Sequence, residues 1–232
     1  MCVATGLLGR QTYAMTYAND IKVALISALL PALAEDEVIG LEVRFGDGRY
    51  RADLVISSPA RLVGIEVKGP RDNLDKLVKQ SIGYRQLFLE FSVAAAPAHI
   101  GQIRAMFPAT VGLMSVSDKA VTQVRMGRQR RRLSKEAALS WLHVDDMRTF
   151  LRDRELPVSG PYERVARSVF EVARIDELSA YALGCVHRRL SPRFSRFVQE
   201  LGRTVTLDDV HILTLGETIT GPGVPLASKY EN

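Results

Sequence analysis

The apolar positions of the first periodic segment, NDIKVALISALLPALAEDE, recur at helical spacing. Ile21, Leu25, Ala28 and Leu29 fall on one face, Asn19 is placed to cap the start, and Pro31 is expected to kink or end the helix. The pattern then becomes strand-like in IGLEVRF (39–45), RADLVIS (51–57) and RLVGIEVKG (61–69). Gly46-Asp47-Gly48 is a hairpin signal and Ser58-Pro59-Ala60 a turn signal, so the three runs predict an antiparallel meander. A helix is predicted over 73–90 from the stripe Leu74, Leu77, Val78, Tyr84, Phe88 and Phe91. A strand over 91–97, a short helix over 99–107 and strands over 110–117 and 120–126 follow. This alternation predicts an α/β core, a mixed β-sheet flanked by helices.

From Ser134 onward the pattern is helical, with breaks expected at Pro157, Gly160-Pro161 and Pro192. The expected organisation is therefore an α/β core over 1–133, a helical C-terminal region over 134–220 and a loose Gly/Pro-rich tail over 221–232. No internal repeat is visible. At 232 residues, 47% hydrophobic and 25% charged, the chain has the balance of an ordinary globular protein able to bury a sizeable core. The net charge of +5 permits a polyanionic partner without requiring one. Two isolated cysteines, Cys2 and Cys185, make neither a disulfide framework nor a zinc site, so a reducing compartment is expected. The N-terminus lacks the pattern of a signal peptide, and no window approaches the roughly 20 apolar residues of a membrane span. A cytoplasmic protein with no membrane partner is the expectation.

Asp53, Glu66 and Lys68 interrupt strands that otherwise read as buried, and charges inside a fold are costly unless paired, hydrated or metal-bound. Strand parity puts Leu41, Val43 and Phe45 on one face opposite Glu42 and Arg44. It likewise sets Ala52, Leu54 and Ile56 opposite Arg51 and Asp53, and Val63, Ile65 and Val67 opposite Glu66 and Lys68. In the simplest register Glu42, Asp53, Glu66 and Lys68 converge on one patch. Carboxylates beside an ammonium suit a hard divalent cation such as Mg²⁺ (or Mn²⁺), which lowers the pKa of bound water and stabilises charge on a phosphoryl oxygen.

Asp53, twelve intervening residues and then Glu66-Val67-Lys68 resemble the PD-(D/E)XK nuclease superfamily, the restriction-endonuclease-like fold. Ala52 stands where the motif's name has proline. The resemblance continues into KQSIGY, where Gln80 and Tyr84, neighbours at i and i+4, are similar to the Gln-x-x-x-Tyr motif of RecB-type nuclease domains. EVKGPRDNLDKLVKQSIGYRQLF also looks like a group of small, poorly characterised bacterial and phage members of that superfamily, and the likeness covers roughly 19–155. It implies that Asp53 and Glu66 bind metal with help from the Val67 carbonyl, and that Lys68 is catalytic. It further implies that Gln80 and Tyr84 serve the site. Glu42 is the expected extra acid, with Glu35 and Glu37 as rivals.

The bland readings are a solvated edge-strand face for Glu66 and Lys68, a helix-surface role for Gln80 and a core role for Tyr84. The segment 119–135 carries seven Lys or Arg and no acid. Arg125, Arg128, Arg130, Arg131, Arg132 and Lys135 in it, with Arg71 beside the motif, are candidate phosphate contacts or a solvated basic loop. His143, Asp145 and Asp146 read as a helix cap or surface charge, and no P-loop is present. The expected activity is metal-dependent hydrolysis of phosphodiester bonds, with DNA as the partner. The competing expectation is a non-catalytic nucleic-acid- or protein-binding module on the same fold. The C-terminal helices are candidates for nucleic-acid binding or for a homodimer contact.

Overall fold

Ile21, Leu25 and Ile26 are fully buried on the first helix, α1 (Ala18–Leu29), which closes in a tight 3₁₀ turn at Leu30–Ala32 containing Pro31. The computed structural model describes residues 18–46, 48–118 and 120–214. Cys2, Asp47, Lys119 and the expected tail over 221–232 lie outside the described residues. Asn19 is already inside α1, one turn of which precedes the first buried residue, so it does not act as its cap.

The meander forms as expected from β1 (Val38–Phe45), β2 (Tyr50–Ser57) and β3 (Leu62–Lys68), paired antiparallel in that order. Next come α2 (Leu77–Leu87), β4 (Glu90–Ala95), α3 (Ile100–Met106), β5 (Gly112–Val116) and β6 (Val121–Arg125). The six strands make one sheet in sequence order. β3, β4 and β5 are parallel neighbours, and β6 returns antiparallel to β5. α2 is shorter than the expected 73–90: Asn73 Oδ1 accepts from Asp75 N–H at 2.7 Å in a turn before it, and at its far end Phe88 is already extended on the way into β4.

Beyond the sheet lie α4 (Lys135–Ser140), α5 (Val144–Arg152), α6 (Tyr162–Val172), α7 (Ile175–Glu200) and α8 (Leu207–Ile212). The chain is therefore α/β, a mixed sheet flanked by helices and followed by a helical region. Two apolar cores sandwich the sheet. α2, α3 and most of the C-terminal helices cover one face, while α1, α8 and the end of α7 cover the other. Pro192 does not break α7. Leu190 on one side of it is buried in the first core and Phe197 on the other in the second, so α7 passes round the edge strand β1. Two such burials offset the roughly 3 kcal/mol that an interior proline costs a helix. Gly40 on β1 makes this crossing possible, since a Cβ there would come within 2.6 Å of Leu190 Cδ2.

Candidate functional site

β2 and β3 pair from Ser57↔Leu62 to Leu54↔Ile65 and then part. Asp53 sits where the ladder ends, and its carboxylate takes over the missing backbone acceptor: Val67 N–H donates to Asp53 Oδ2 at 2.7 Å. On its other side, β1 and β2 keep register throughout except at Glu42 opposite Asp53. Glu42 has φ 53°, a left-handed backbone that costs a non-glycine residue about 1–3 kcal/mol. This kink resets the alternation. Leu41 and Leu54 lie in one core and Val43 and Ala52 in the other, so the single-face grouping of Leu41, Val43 and Phe45, and of Ala52, Leu54 and Ile56, does not hold. The β3 grouping does hold, with Val63, Ile65 and Val67 together in one core.

The structure brings together all five residues expected to carry catalysis. Glu66 is buried, with Oε1 accepting from Lys68 Nζ at 2.8 Å and Oε2 from Tyr84 O–H at 2.8 Å. Lys68 Nζ also donates to Gln80 Oε1 at 3.4 Å, and Asp53 N–H to Tyr84 Oη at 3.3 Å. Tyr84 is both core and site. Its ring stacks on Phe91 at a centroid distance of 4.6 Å and lies tilted against Phe45 at 5.1 Å, while its hydroxyl meets the Glu66 carboxylate and the Asp53 N–H. Gly64 permits this approach, because a Cβ there would stand 2.6 Å from the Tyr84 ring. Asp53, Glu66, Gln80 and Tyr84 line a cleft of about 210 Å³ together with Arg49, Tyr50 and Arg51.

Burial, reinforced by the Glu66 charge, pushes the Asp53 carboxyl up to about 7, against the opposing pull of the Val67 N–H and Lys22. Burial and the same acids also push the Tyr84 hydroxyl well above its ordinary range. Lys22, buried on α1, contacts Glu42 and lies 4.0 Å from Asp53 Oδ1; Arg51 Nε lies 2.7 Å from the other Glu42 oxygen. Sequence reasoning missed Lys22. Its signal was legible, a lone lysine three and four residues before Leu25 and Ile26 on an apolar stripe.

Asp53 and Glu66 bring two carboxylates, a hard-oxygen donor pair, to one cleft. That fits Mg²⁺, which takes one or two carboxylates and keeps waters. Among the described residues no group of three or more His, Cys, Asp or Glu is placed to hold a metal ion. Glu42 is instead engaged by Lys22 and Arg51, and Val67 enters the site through its N–H.

The remaining candidates are dispersed. Glu35 is exposed, and Glu37 is buried in an ion pair with Arg61 at 2.8 Å. Arg71 lies exposed in the turn after β3. Arg125 donates to the Val111 and Phe107 carbonyls, and Arg130 to those of Gln86 and Phe88. Arg132 pairs with Asp176 at 2.6 Å, and Lys135 donates to Phe170 O at 2.8 Å. Arg128 and Arg131 are exposed. His143 precedes α5 as its cap residue, its N–H donating to Asp146 Oδ2 at 2.9 Å. Among the described residues no helix is long and apolar enough to cross a membrane.

No curated protein matches this chain. Among solved structures, the SPO1766 protein of unknown function from Silicibacter pomeroyi is similar over 79% of this chain and 93% of its own, at 14% identity and a TM-score of 0.39. The model of the family described as bacteriophage P4 protein cII matches residues 12–214, a span that contains α1, the whole sheet and every residue of the cleft. The chain belongs to the bacteriophage P4 protein cII family.

Proposed function

We propose that the protein is a metal-dependent nuclease of the PD-(D/E)XK type that hydrolyses phosphodiester bonds in DNA. The observation that carries this reading is the convergence of Asp53, Glu66, Gln80 and Tyr84 on one cleft, with Lys68 hydrogen-bonded to Glu66 and Gln80 beside it and Asp53 pushed up to about 7. Asp53 and Glu66 are the residues that would hold Mg²⁺ or Mn²⁺. Such an ion, when bound, supplies a water of lowered pKa and positive charge for a phosphoryl oxygen. Lys68, oriented by Glu66 and Gln80, adds an ammonium beside the phosphate under attack. Tyr84 fixes the second oxygen of Glu66, and the exposed Arg49 and Arg51 at the cleft rim offer guanidiniums to flanking phosphates.

A second reading, a non-catalytic nucleic-acid-binding module, draws support from Lys22 and Lys68, which already bring two ammoniums to the acids. The deciding experiment is cleavage of linear, circular and single-stranded DNA with Mg²⁺, Mn²⁺ or EDTA, comparing wild type with Asp53→Ala and Lys68→Ala. Metal-dependent cleavage absent from both variants is the expected result. DNA binding retained by all three proteins, with no cleavage by any, favours the module.

A further inference from the structure

At the end of α2 remote from Gln80, a second hollow of about 590 Å³ opens between that helix, the start of β4 and the segment 128–131 after β6. Arg85, Arg128, Arg130 and Arg131 line it over a floor that includes Phe88 and Phe91, and none of its lining residues is acidic. Concentrating four like charges without an acid is unfavourable in the unliganded fold and becomes favourable when an anion enters.

The arginines are held in place, not left on a loose loop. Arg128 N–H donates to Thr110 O at 2.9 Å, Arg130 N–H to Leu89 O at 2.8 Å and Leu133 N–H to Ser179 Oγ at 3.0 Å. Gly127, just before them, packs so closely on Glu90 that a Cβ would approach Oε1 to 2.8 Å. Arg130 spends Nη2 on the Gln86 and Phe88 carbonyls, which leaves Nε and Nη1 of its five-donor fork for another acceptor. Burial holds its pKa below the ordinary arginine value. Tyr84 links this hollow to the cleft, stacking on Phe91 and donating to Glu66. Phe91 pairs with Gly64, two residues before Glu66 on β3, roughly 7 Å by strand rise. The floor of the hollow therefore adjoins the strand that carries Glu66 and Lys68.

We propose that the Arg85/Arg128/Arg130/Arg131 hollow is a second phosphate-binding site that takes consecutive backbone phosphates of the nucleic-acid strand engaged at the cleft. The proposal rests on the reading of the protein as acting on nucleic acid. The test is fluorescence anisotropy of a labelled single-stranded 20-mer and its duplex in EDTA, across a salt series. Wild type is compared with Arg128→Ala/Arg131→Ala, with Arg85→Ala on the helix wall and with Asp53→Ala. Both arginine changes are at exposed positions, and their thermal melts are recorded alongside.

The double arginine variant is expected to bind about tenfold more weakly at 0.1 M salt, with a slope of log K against log[salt] shallower by about 1.5, near 0.7–0.9 per lost phosphate contact. Arg85→Ala should lose about half of that slope, and Asp53→Ala should keep the wild-type slope. Equal affinity and slope for wild type and the double variant overturns the site. So does wild-type binding of ATP or tripolyphosphate through these arginines with no binding of either strand form. Arginine-dependent strand binding without cleavage in Mg²⁺ retains the site and removes the nuclease reading, which separates the two claims.

Discussion

Asp53 is the residue on which the electrostatics of the site turn. A carboxyl raised from 3.8 to about 7 binds its proton more tightly in the folded than in the unfolded chain. The stability it contributes is therefore complete below about pH 4 and is lost as pH rises toward 7, a change of at most about 4 kcal/mol at ~1.4 kcal/mol per pH unit. Urea unfolding of the metal-free protein is expected to show wild type losing stability over that window relative to Asp53→Asn, whose curve lacks this component. Tyr84→Phe probes a different part of the site. The ring keeps its packing against Phe45 and Phe91, while Glu66 Oε2 loses its hydroxyl donor. A stability cost of about 1–3 kcal/mol is expected, with a fall in cleavage rate of at least tenfold. A rate equal to wild type in a kinetic assay removes the hydroxyl from the proposed mechanism.

At the scale of elements, the site depends on how α2 lies on β3 and how α7 wraps β1. Gly64→Ala places a methyl against the Tyr84 ring, which is hemmed in by Phe45, Phe88 and Phe91 and cannot swing away. Overpacking of about 1–3 kcal/mol is expected in chemical denaturation, together with weaker cleavage because the hydroxyl shifts with the ring. Phe197→Ala empties a fully buried position beyond Pro192 and should cost about 3–5 kcal/mol, whereas Leu207→Ala, at a position 44% exposed, should stay within about 0.5 kcal/mol. Similar losses at the two positions would mean that the far half of α7 is not anchored to the second core.

For the whole molecule, the apolar cluster on the α2 face runs without interruption from Phe45, Phe88 and Val93 to Trp141, Phe150 and Leu178. Trp141 Nε1–H donates to Leu87 O at 2.7 Å, closing the end of α2. A chain ended at Leu133 strips these partners from the sheet and is expected to lack a cooperative thermal transition, as read by far-ultraviolet circular dichroism. The two cores meet across the sheet, and Phe194 on α7 packs against both. The cleft therefore draws on both, with Lys22 from α1 on one face and Tyr84 from α2 on the other.

Local pattern was enough to order the helices and strands of the first 130 residues, because period-2 and period-3.6 burial is written directly into side-chain polarity. It was also enough to single out Asp53, Glu66 and Lys68, since charges within apolar strands stand out wherever they occur, whereas Gln80 and Tyr84 stood out through the likeness to the Gln-x-x-x-Tyr motif. Three things depended on tertiary structure. Glu42 takes a left-handed backbone that reverses the faces of β1 and β2, stabilised by Lys22 and Arg51 from elsewhere in the fold, and parity alone assumes an unbroken strand. Pro192 stays inside a helix because cores on opposite faces of the sheet bury both of its flanks, against its own local preference. The basic run over 119–135 divides into arginines tied to carbonyls or acids and others left at a hollow, a division set by which groups the folded chain brings within hydrogen-bonding distance.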